Sequence, residues 1–492
     1  MTEDWHGVST SAARHLREGN YDAAAAGFER LVAMRDDHAD SWFNLGYARR
    51  MARHYQAALD AYGQAIVRGM SSPEDAHLNR AVILSEHLQR ADEALAELRQ
   101  AVTKNPAAVS AWLNLGNLLE DLGESETARE AYEAALRSDP RNGRATSRIA
   151  GLLVHQREPA RAIAMARDAA ERARPGTEDA AEISFALGNA LDAAGAYREA
   201  FAAVADGNET SAALRAPAQR YDRATHQRLV DALIESFPES AEGAPARDGD
   251  DRSIFICGMF RSGSTLTEQL LGRHPAITAG GELEFIPAMV REDLQPYPAA
   301  LKQAPAKRIV ELRRKYLDQL DALYPAAQRV TDKRPDNFLH IGLIKTLFPA
   351  ARIVHTVRQP LDNILSVYFL YFAQSVSYSE RLDDIVHYYG QYRRLMRHWQ
   401  QLYGSDIHSV DYDRLVAEPR PALEELVAFL GLDWDESCLE HDPGAAVVRT
   451  ASNWQVRQDL HTRSSGRWRN YAKELEGARL KLGAMGLLDG AV

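Results

Sequence analysis

Two closely matched segments, 70 residues apart, restrict the fold of this 492-residue chain more than any other feature. The first, Trp42-Phe-Asn-Leu-Gly46, is followed by Ala58, Tyr62 and Ala65. The second, Trp112-Leu-Asn-Leu-Gly116, is followed by alanine, tyrosine and alanine at the same offsets. Imperfect copies surround them, so the whole region up to residue 207 repeats. One such unit cannot bury its own apolar face, so the units must stack on one another.

This pattern resembles the tetratricopeptide repeat, a helix-turn-helix of about 34 residues. The small residues at Gly46, Gly116, Ala58 and Ala128 let paired helices approach closely, and Trp, Leu and Tyr fill the space between units. The resemblance implies an all-α solenoid over residues 1–207. Two roles stay open for it: a rigid scaffold, or a groove that docks a protein partner or a polymeric acceptor.

Composition and charge narrow the class of protein. A net charge of -11 argues against bulk attraction to nucleic acid, so an anionic ligand must bind at a local basic site. No apolar run reaches the length of a membrane-spanning helix, and the acidic N-terminus does not resemble a signal peptide. Two cysteines, Cys257 and Cys438, do not make a disulfide framework. We therefore expect a cytoplasmic protein.

A linker separates the repeats from a second pattern. Tyr221–Phe237 predicts a helix, and the Pro-, Gly- and Asp-rich stretch behind it predicts a loop, so residues 208–252 are assigned to a linker. From Ser253 onward, short apolar runs alternate with helical patterns. This alternation predicts an α/β domain with a mainly parallel sheet over residues 253–492.

The second domain opens with a candidate anion site. Ile254–Cys257 predicts a buried strand, and the loop behind it contains Gly258, Arg261 and Gly263 before a Ser-Thr helix start. Backbone N–H groups at such a helix start attract an anion, and the arginine adds a fixed positive charge. The Gly-Lys-Ser/Thr of a Walker A loop is missing, which disfavours metal-assisted chemistry on a nucleoside triphosphate. An ordinary strand-to-helix turn is the alternative.

A second basic site follows another predicted strand, Arg352–Val357. Arg358 follows this strand, and Pro360 stands where a helix would begin. Ser366 lies about two helical turns farther on. A cation and a hydroxyl in these places can bind a second phosphate. For each residue by itself, a simpler interpretation is a surface ion pair for Arg358 and a packed helical serine for Ser366.

Together, these segments resemble sulfotransferases that use 3′-phosphoadenosine 5′-phosphosulfate. The whole chain resembles the bacterial tetratricopeptide-repeat sulfotransferases, and its catalytic half is similar to the tyrosylprotein sulfotransferases. The resemblance implies a P-loop-like α/β domain that binds this donor as a co-substrate without a metal. The donor-binding residues that it implies are Arg261, Ser262, Gly263, Ser264, Thr265, Leu266, Arg358, Ser366, Tyr412 and Arg467.

The same resemblance implies catalytic roles. Glu282, eight residues after His274, matches the general base, and Lys333 matches the lysine that neutralises charge on the transferring group. Ser452 matches a serine that assists the transition state, and Arg261 contributes to both sets. Glu284 is the competing base. It stands where the tyrosylprotein enzymes carry an arginine, so the preference for an acidic tyrosine peptide does not carry over.

The acceptor therefore stays open among peptide, sugar and small-molecule hydroxyls. Two other functions also stay open at the level of sequence. One is a P-loop kinase that acts on a small molecule, and the other is a non-catalytic repeat adaptor with a relic sulfotransferase fold. Histidines such as His340 and His355 lack partners at ligand spacing, so no metal site is expected.

Overall fold

Two compact units make up the protein, Met1–Glu158 and Pro159–Val492. The structure is a computed structural model that describes residues 4–238, 252–373, 375–440 and 464–488. The boundary at residue 207 that the sequence indicates stays a prediction drawn from the repeat pattern. By compactness, the helices between residues 159 and 236 belong with the second unit.

The first unit consists of paired helices. Their bounds are α1 Trp5–Arg17, α2 Tyr21–Met34, α3 Ala39–Met51, α4 Tyr55–Val67, α5 Pro73–Val82, α6 Ala91–Lys104, α7 Val109–Asp121, α8 Ser125–Ser138 and α9 Gly143–His155. In two of these pairs, α3 with α4 and α7 with α8, a glycine faces a tyrosine. A Cβ atom on Gly116 would lie 2.4 Å from a ring carbon of Tyr132, and one on Gly46 would lie 2.8 Å from Tyr62. The repeated glycine thus permits the close approach of the two helices.

A buried hydrogen bond supports the pair of α7 and α8. The Tyr132 hydroxyl, with no exposed surface on its residue, donates to the Glu120 carboxylate at 2.7 Å. The Arg148 guanidinium, from the next repeat, lies 3.4 Å from the same carboxylate. Side chains of this unit therefore link successive repeats as well as the two helices of one repeat.

The second unit begins with four helices and continues as an alternation of helices and strands. Its helices are α10 Pro159–Arg172, α11 Glu178–Ala193, α12 Tyr197–Leu214, α13 Arg223–Ser236, α14 Ser264–Leu271, α15 Phe285–Asp293, α16 Ala299–Lys302, α17 Ala306–Leu323, α18 Ile341–Leu347, α19 Pro360–Tyr368, α20 Leu382–Tyr403, α21 Tyr412–Ala417, α22 Pro419–Phe429 and α23 Glu476–Ala484. Its strands are β1 Ser253–Gly258, β2 Ile277–Thr278, β3 Arg329–Lys333, β4 Arg352–Val357 and β5 Ile407–Asp411.

The strands form one parallel sheet in the order β2-β3-β1-β4-β5. All residues of β1 are buried, because helices cover both faces of the sheet. Phe255 and Cys257 pack into one apolar cluster with α17, α18 and α20, whereas Ile254 and Ile256 pack on the other face with α14 and α22. This alternation explains why β1 reads as a continuous apolar run in the sequence.

Helices α11 to α13 pack onto the α/β part of their own unit. The Asn208 amide, on α12, donates to the main-chain oxygen of Tyr368 at 3.0 Å. Arg215, just beyond α12, forms a buried ion pair with Glu380 at 2.7 Å. Buried ion pairs of this kind are costly to break, because removal of one partner leaves the other charge without compensation. These helices are thus integral to the unit that contains the sheet.

The predicted fold class is confirmed: helical repeats precede a domain with a parallel sheet. In the described residues, no helix is long and apolar enough to cross a membrane. His355 lies in the centre of β4 with its ring between Tyr392 and Ser409, as a core residue. Burial lowers the pKa of His355 to about 3, so it stays neutral.

Candidate active site

The carboxyl ends of the strands gather the residues that the sequence singles out. In a parallel sheet these ends lie at one edge, which is the usual place for a ligand. The residues at this edge are Arg261 after β1, Glu282 after β2, Lys333 at the end of β3, Arg358 after β4 and Tyr412 after β5. Because β1 pairs with β3 on one side and β4 on the other, the loop after β1 lies between Lys333 and Arg358.

Gly263 shapes the loop after β1. Its φ is +102°, a region that favours glycine, and it directly precedes α14. A Cβ atom at this position would lie 2.6 Å from the Tyr412 ring. The loop therefore approaches α21 more closely than any side-chain-bearing residue would allow. The expected helix start is present, but the residue before α14 is Gly263, without a side-chain cap.

Arg261, Ser366 and Arg358 lie together. Arg261 Nε donates to Ser366 Oγ at 3.2 Å, and Arg358 Nη1 donates to the main-chain oxygen of Arg261 at 3.3 Å. The Arg358 guanidinium carbon also lies 4.7 Å from the centre of the Tyr412 ring. Residues from three separate sequence segments thus form one basic cluster.

This cluster has the electrostatics of an anion site. Burial, followed by the positive charges of Arg358 and Arg467, lowers the pKa of Arg261 to about 10. Burial also lowers the pKa of Arg358, and Arg467 adds to the effect. The Arg358 Nε atom is buried and has no hydrogen-bond partner within the described residues. A bound phosphate would satisfy this donor and relieve the repulsion among the three arginines.

The other loop residues have structural contacts. Ser262 is buried and shares a hydrogen bond of 2.7 Å with the Thr356 hydroxyl on β4. Ser264 and Thr265 are buried in the first turn of α14. The Leu266 side chain packs in the apolar cluster between the sheet and α22, so only its main chain is available to an anion.

Lys333 and Glu282 form an ion pair at the same edge. Lys333 has no exposed surface, and its Nζ atom lies 2.6 Å from Glu282 Oε1. The Glu282 side chain is 42% exposed, so it faces the space above the sheet. Lys333 pairs with this glutamate rather than with the neighbouring Asp332 or Asp336, the partners that a simple surface ion pair would use.

Glu268, on α14, holds the segment that carries Glu282. Its carboxylate is buried and accepts from the Gly281 main-chain N–H at 2.9 Å and from the Thr331 hydroxyl at 2.6 Å. Burial raises the pKa of Glu268, and the nearby Lys333 charge opposes the shift. The sequence does not reveal this role, because a lone glutamate on a helix is usually solvated.

Glu284, the competing base, has a different partner. Its carboxylate lies 2.6 Å from Arg334, which also contacts Asp336 at 3.2 Å. His274, eight residues before Glu282, is buried and bonds to the main chain at Asp433 and Ala276. This histidine therefore supports the turn before β2 and does not face the basic cluster.

The segment from Ser464 to Tyr471 lies against the basic cluster. Arg358 Nη2 donates to the main-chain oxygen of Ser464. Asp362, in the first turn of α19, accepts the main-chain N–H groups of Gly466 and Trp468, the latter at 2.7 Å. A residue that the sequence did not single out thus anchors this segment.

Arg467 pairs with a helix of the N-terminal part of the same unit. Its guanidinium lies 3.0 Å from the carboxylate of Asp192, on α11, and 4.6 Å from the centre of the Phe369 ring. No signal in the sequence connects Asp192 to this site. Ser452 lies outside the described residues. Within the described residues, no cluster of three or more His, Cys, Asp or Glu side chains could hold a metal ion.

Comparison with known families agrees with this geometry. Residues 253–436 match the model described as the sulfotransferase family. Residues 11–76, 48–109, 87–143 and 113–178 match the model of the tetratricopeptide repeat. Residues 253–436 therefore form a domain of the sulfotransferase family. The repeats in front of it make the chain consistent with a tetratricopeptide-repeat sulfotransferase.

Sequence relatives include sulfotransferases and tetratricopeptide-repeat proteins. A protein of Aquifex aeolicus (strain VF5) is 30% identical over 402 residues, which are 78% of this chain and 51% of the relative. This chain thus spans about half the length of that relative. A putative protein-tyrosine sulfotransferase of Caenorhabditis briggsae is 23% identical over 234 residues, 44% of this chain and 81% of the relative.

Solved structures with partial similarity to the chain also exist. The sulfotransferase domain from the curacin biosynthetic pathway is 19% identical and covers 45% of this chain and 92% of that structure, with a TM-score of 0.36.

Proposed function

We propose that this protein transfers a sulfuryl group from 3′-phosphoadenosine 5′-phosphosulfate to an acceptor hydroxyl. The observation that carries the proposal is the arrangement at the carboxyl edge of the sheet. Arg261, in the loop after β1, forms a basic cluster with Arg358 and Ser366 from the β4 side of the sheet. The Lys333–Glu282 pair lies at the ends of β3 and β2, on the other side of β1. Sulfotransferase relatives support the general class of reaction.

The basic cluster is suited to the phosphates of the donor. Backbone N–H groups at the start of α14 and the arginine side chains offer donors to anionic oxygens. The buried Arg358 Nε atom, which has no partner within the described residues, is one such donor. Arg261 and Arg358 keep their positive charge at neutral pH in spite of the lowered pKa values.

The Lys333–Glu282 pair is suited to the chemical step. In this step the acceptor oxygen forms a bond to sulfur as the bond between sulfur and the leaving phosphate oxygen breaks. The electron pair of that bond stays on the released 3′-phosphoadenosine 5′-phosphate, and the Glu282 carboxylate accepts the hydroxyl proton. Lys333 supplies a buried positive charge that stabilises the developing negative charge.

Two measurements on the full chain test this proposal. Calorimetry with 3′-phosphoadenosine 5′-phosphate should detect binding, and Arg358→Ala should weaken it. A screen of hydroxyl acceptors with radiolabelled donor should then detect transfer. The absence of nucleotide binding by the unaltered protein would refute the proposal.

The base is tested by a matched pair of variants. Glu282→Gln should reduce transfer by about 100- to 10,000-fold, the usual contribution of a general base, while nucleotide binding is retained. Glu284→Gln should retain transfer, because Glu284 pairs with Arg334 instead. The opposite ranking of the two variants would assign the base to Glu284.

The same measurements separate the rival functions. A small-molecule kinase predicts magnesium-dependent ATP turnover that survives Arg358→Ala. A non-catalytic adaptor predicts no transfer to any acceptor. Transfer that is lost in Glu282→Gln, with the nucleotide still bound, excludes both.

A further inference from the structure

The orientation of Arg467 beside the basic cluster is set by Asp192, a residue of helix α11. Two contacts join its guanidinium to Asp192 on α11: Nε to Oδ1 at 3.3 Å and Nη2 to Oδ2 at 3.0 Å. A two-point contact of this kind fixes both the place and the plane of the guanidinium. Both side chains are only about one-fifth exposed, so solvent screens the pair less than it screens a surface ion pair.

The ring of Phe369 completes this support. The Arg467 guanidinium carbon lies 4.6 Å from the ring centre. Phe369 follows Ser366 by three residues, about one helical turn, and Ser366 accepts the hydrogen bond of Arg261. Arg467 is therefore held against a ring that lies about one helical turn from the serine that accepts the Arg261 hydrogen bond. Its charge contributes to the lowered pKa values of both Arg261 and Arg358.

Asp192 also holds the far end of the same segment. Its Oδ1 atom accepts a hydrogen bond from the Tyr471 hydroxyl, at the end of the 3₁₀ turn Arg467–Tyr471. Asp362 holds the near end through the N–H groups of Gly466 and Trp468. One carboxylate from α19 and one from α11 thus hold the turn from two sides.

We propose that Asp192 is a positioning residue of the donor site, which holds Arg467 and its turn in the orientation that adds a third cation to the Arg261–Arg358 cluster. The inference rests on the proposed function and extends it, because it makes α11 part of the donor site. Two effects of Asp192 oppose each other. Its negative charge disfavours a nearby anion, whereas its contacts spare Arg467 the entropy cost of being ordered. The proposal is that the second effect prevails.

A double-mutant cycle on the full chain tests the proposal. Binding of 3′-phosphoadenosine 5′-phosphate is measured by calorimetry for the unaltered protein, Asp192→Asn, Arg467→Ala and the double variant. Asparagine keeps the volume of the aspartate and can still accept from Tyr471. If Asp192 acts through Arg467, Asp192→Asn weakens binding about tenfold alone and has almost no effect in the Arg467→Ala protein.

A control and a kinetic readout separate positioning from general stability. Asp168, on α10, forms an exposed ion pair at 2.5 Å with Arg172 of the same helix. Asp168→Asn should leave nucleotide binding unchanged. In transfer assays, Asp192→Asn should raise the KM for the donor and retain kcat at saturating donor, a split that a merely unstable protein would not show.

The outcomes are distinct. No nucleotide binding by the unaltered protein refutes the donor assignment and this inference with it. Binding by the unaltered protein that Asp192→Asn leaves unchanged or tightens refutes the inference alone, as does an equal loss in the Arg467→Ala background. If Asp192→Asn does not fold, Arg467→Ala decides the question, and unchanged binding by that variant refutes the proposal.

Discussion

Gly263→Ala should damage the donor site through a steric effect whose size follows from the structure. At a φ of +102°, an alanine costs about 1–3 kcal/mol in backbone strain. Its Cβ atom would lie 2.6 Å from the Tyr412 ring, whereas carbon atoms prefer separations of about 3.5–4.0 Å. The ring must therefore move by about 1 Å, or the loop must.

That movement reaches the basic cluster, because the Arg358 guanidinium carbon lies 4.7 Å from the centre of the Tyr412 ring. The contact with an arginine is worth about 0.5–2 kcal/mol. Loss of about 1.4 kcal/mol corresponds to a tenfold weaker affinity. We therefore expect Gly263→Ala to weaken binding of 3′-phosphoadenosine 5′-phosphate by about 2- to 30-fold in calorimetry and to lower the melting temperature.

Gly431→Ala is the matched control. Gly431 follows α22 with a φ of +72°, and a Cβ atom there would meet no atom within 4 Å in the described parts of the chain. In this variant, backbone strain alone should lower the free energy of unfolding, and nucleotide binding should be unchanged. Unaltered nucleotide binding by Gly263→Ala would show that the loop does not form the donor site in the way described.

The remaining predictions concern buried polar groups. Burial raises the pKa of Asp332 to about 7 in the folded protein, whereas an aspartate in an unfolded chain has a pKa of about 3.9. Between these two pH values the folded state binds a proton at Asp332 that the unfolded state has released. The stability of the protein therefore falls as pH rises from about 4 to 7. Asp332→Asn should flatten that slope by up to about 1.4 kcal/mol per pH unit in urea unfolding, and an unchanged slope would contradict the assignment. Tyr132→Phe should cost the repeat unit about 1.5–3 kcal/mol, because the hydroxyl donates to the buried Glu120 carboxylate. Tyr62→Phe, at the equivalent repeat position, should cost less in the same thermal melts, since its buried hydroxyl has no such bond in the described residues; equal losses would contradict the role of the hydrogen bond.

Local patterns in the chain were sufficient to predict much of the fold. The Trp-Leu-Gly and Ala-Tyr-Ala offsets predicted paired helices, because a glycine that faces a tyrosine is a local steric requirement. The apolar run of β1 and the proline at the start of α19 likewise marked a buried strand and a helix start. The match to the sulfotransferase family confirms the class of the second domain.

The partners of the candidate site residues were not predictable in the same way. The pairing of Lys333 with Glu282, rather than with an adjacent aspartate, depends on the fact that β2 and β3 lie side by side in the sheet. Glu268 and Asp362 accept hydrogen bonds from main-chain N–H groups of other segments. Such contacts produce no recognisable pattern in the sequence around either carboxylate.

The sequence by itself determined the order of the two domain types, the paired helices of the repeats and the buried strand β1, because periodicity, glycine placement and helix starts are local properties. Only the tertiary structure decided that a carboxylate on α11 lies against Arg467 and that three arginines share one site. The physical reason is that burial and charge–charge contact depend on distances between segments far apart in the chain, which the order of residues alone does not specify.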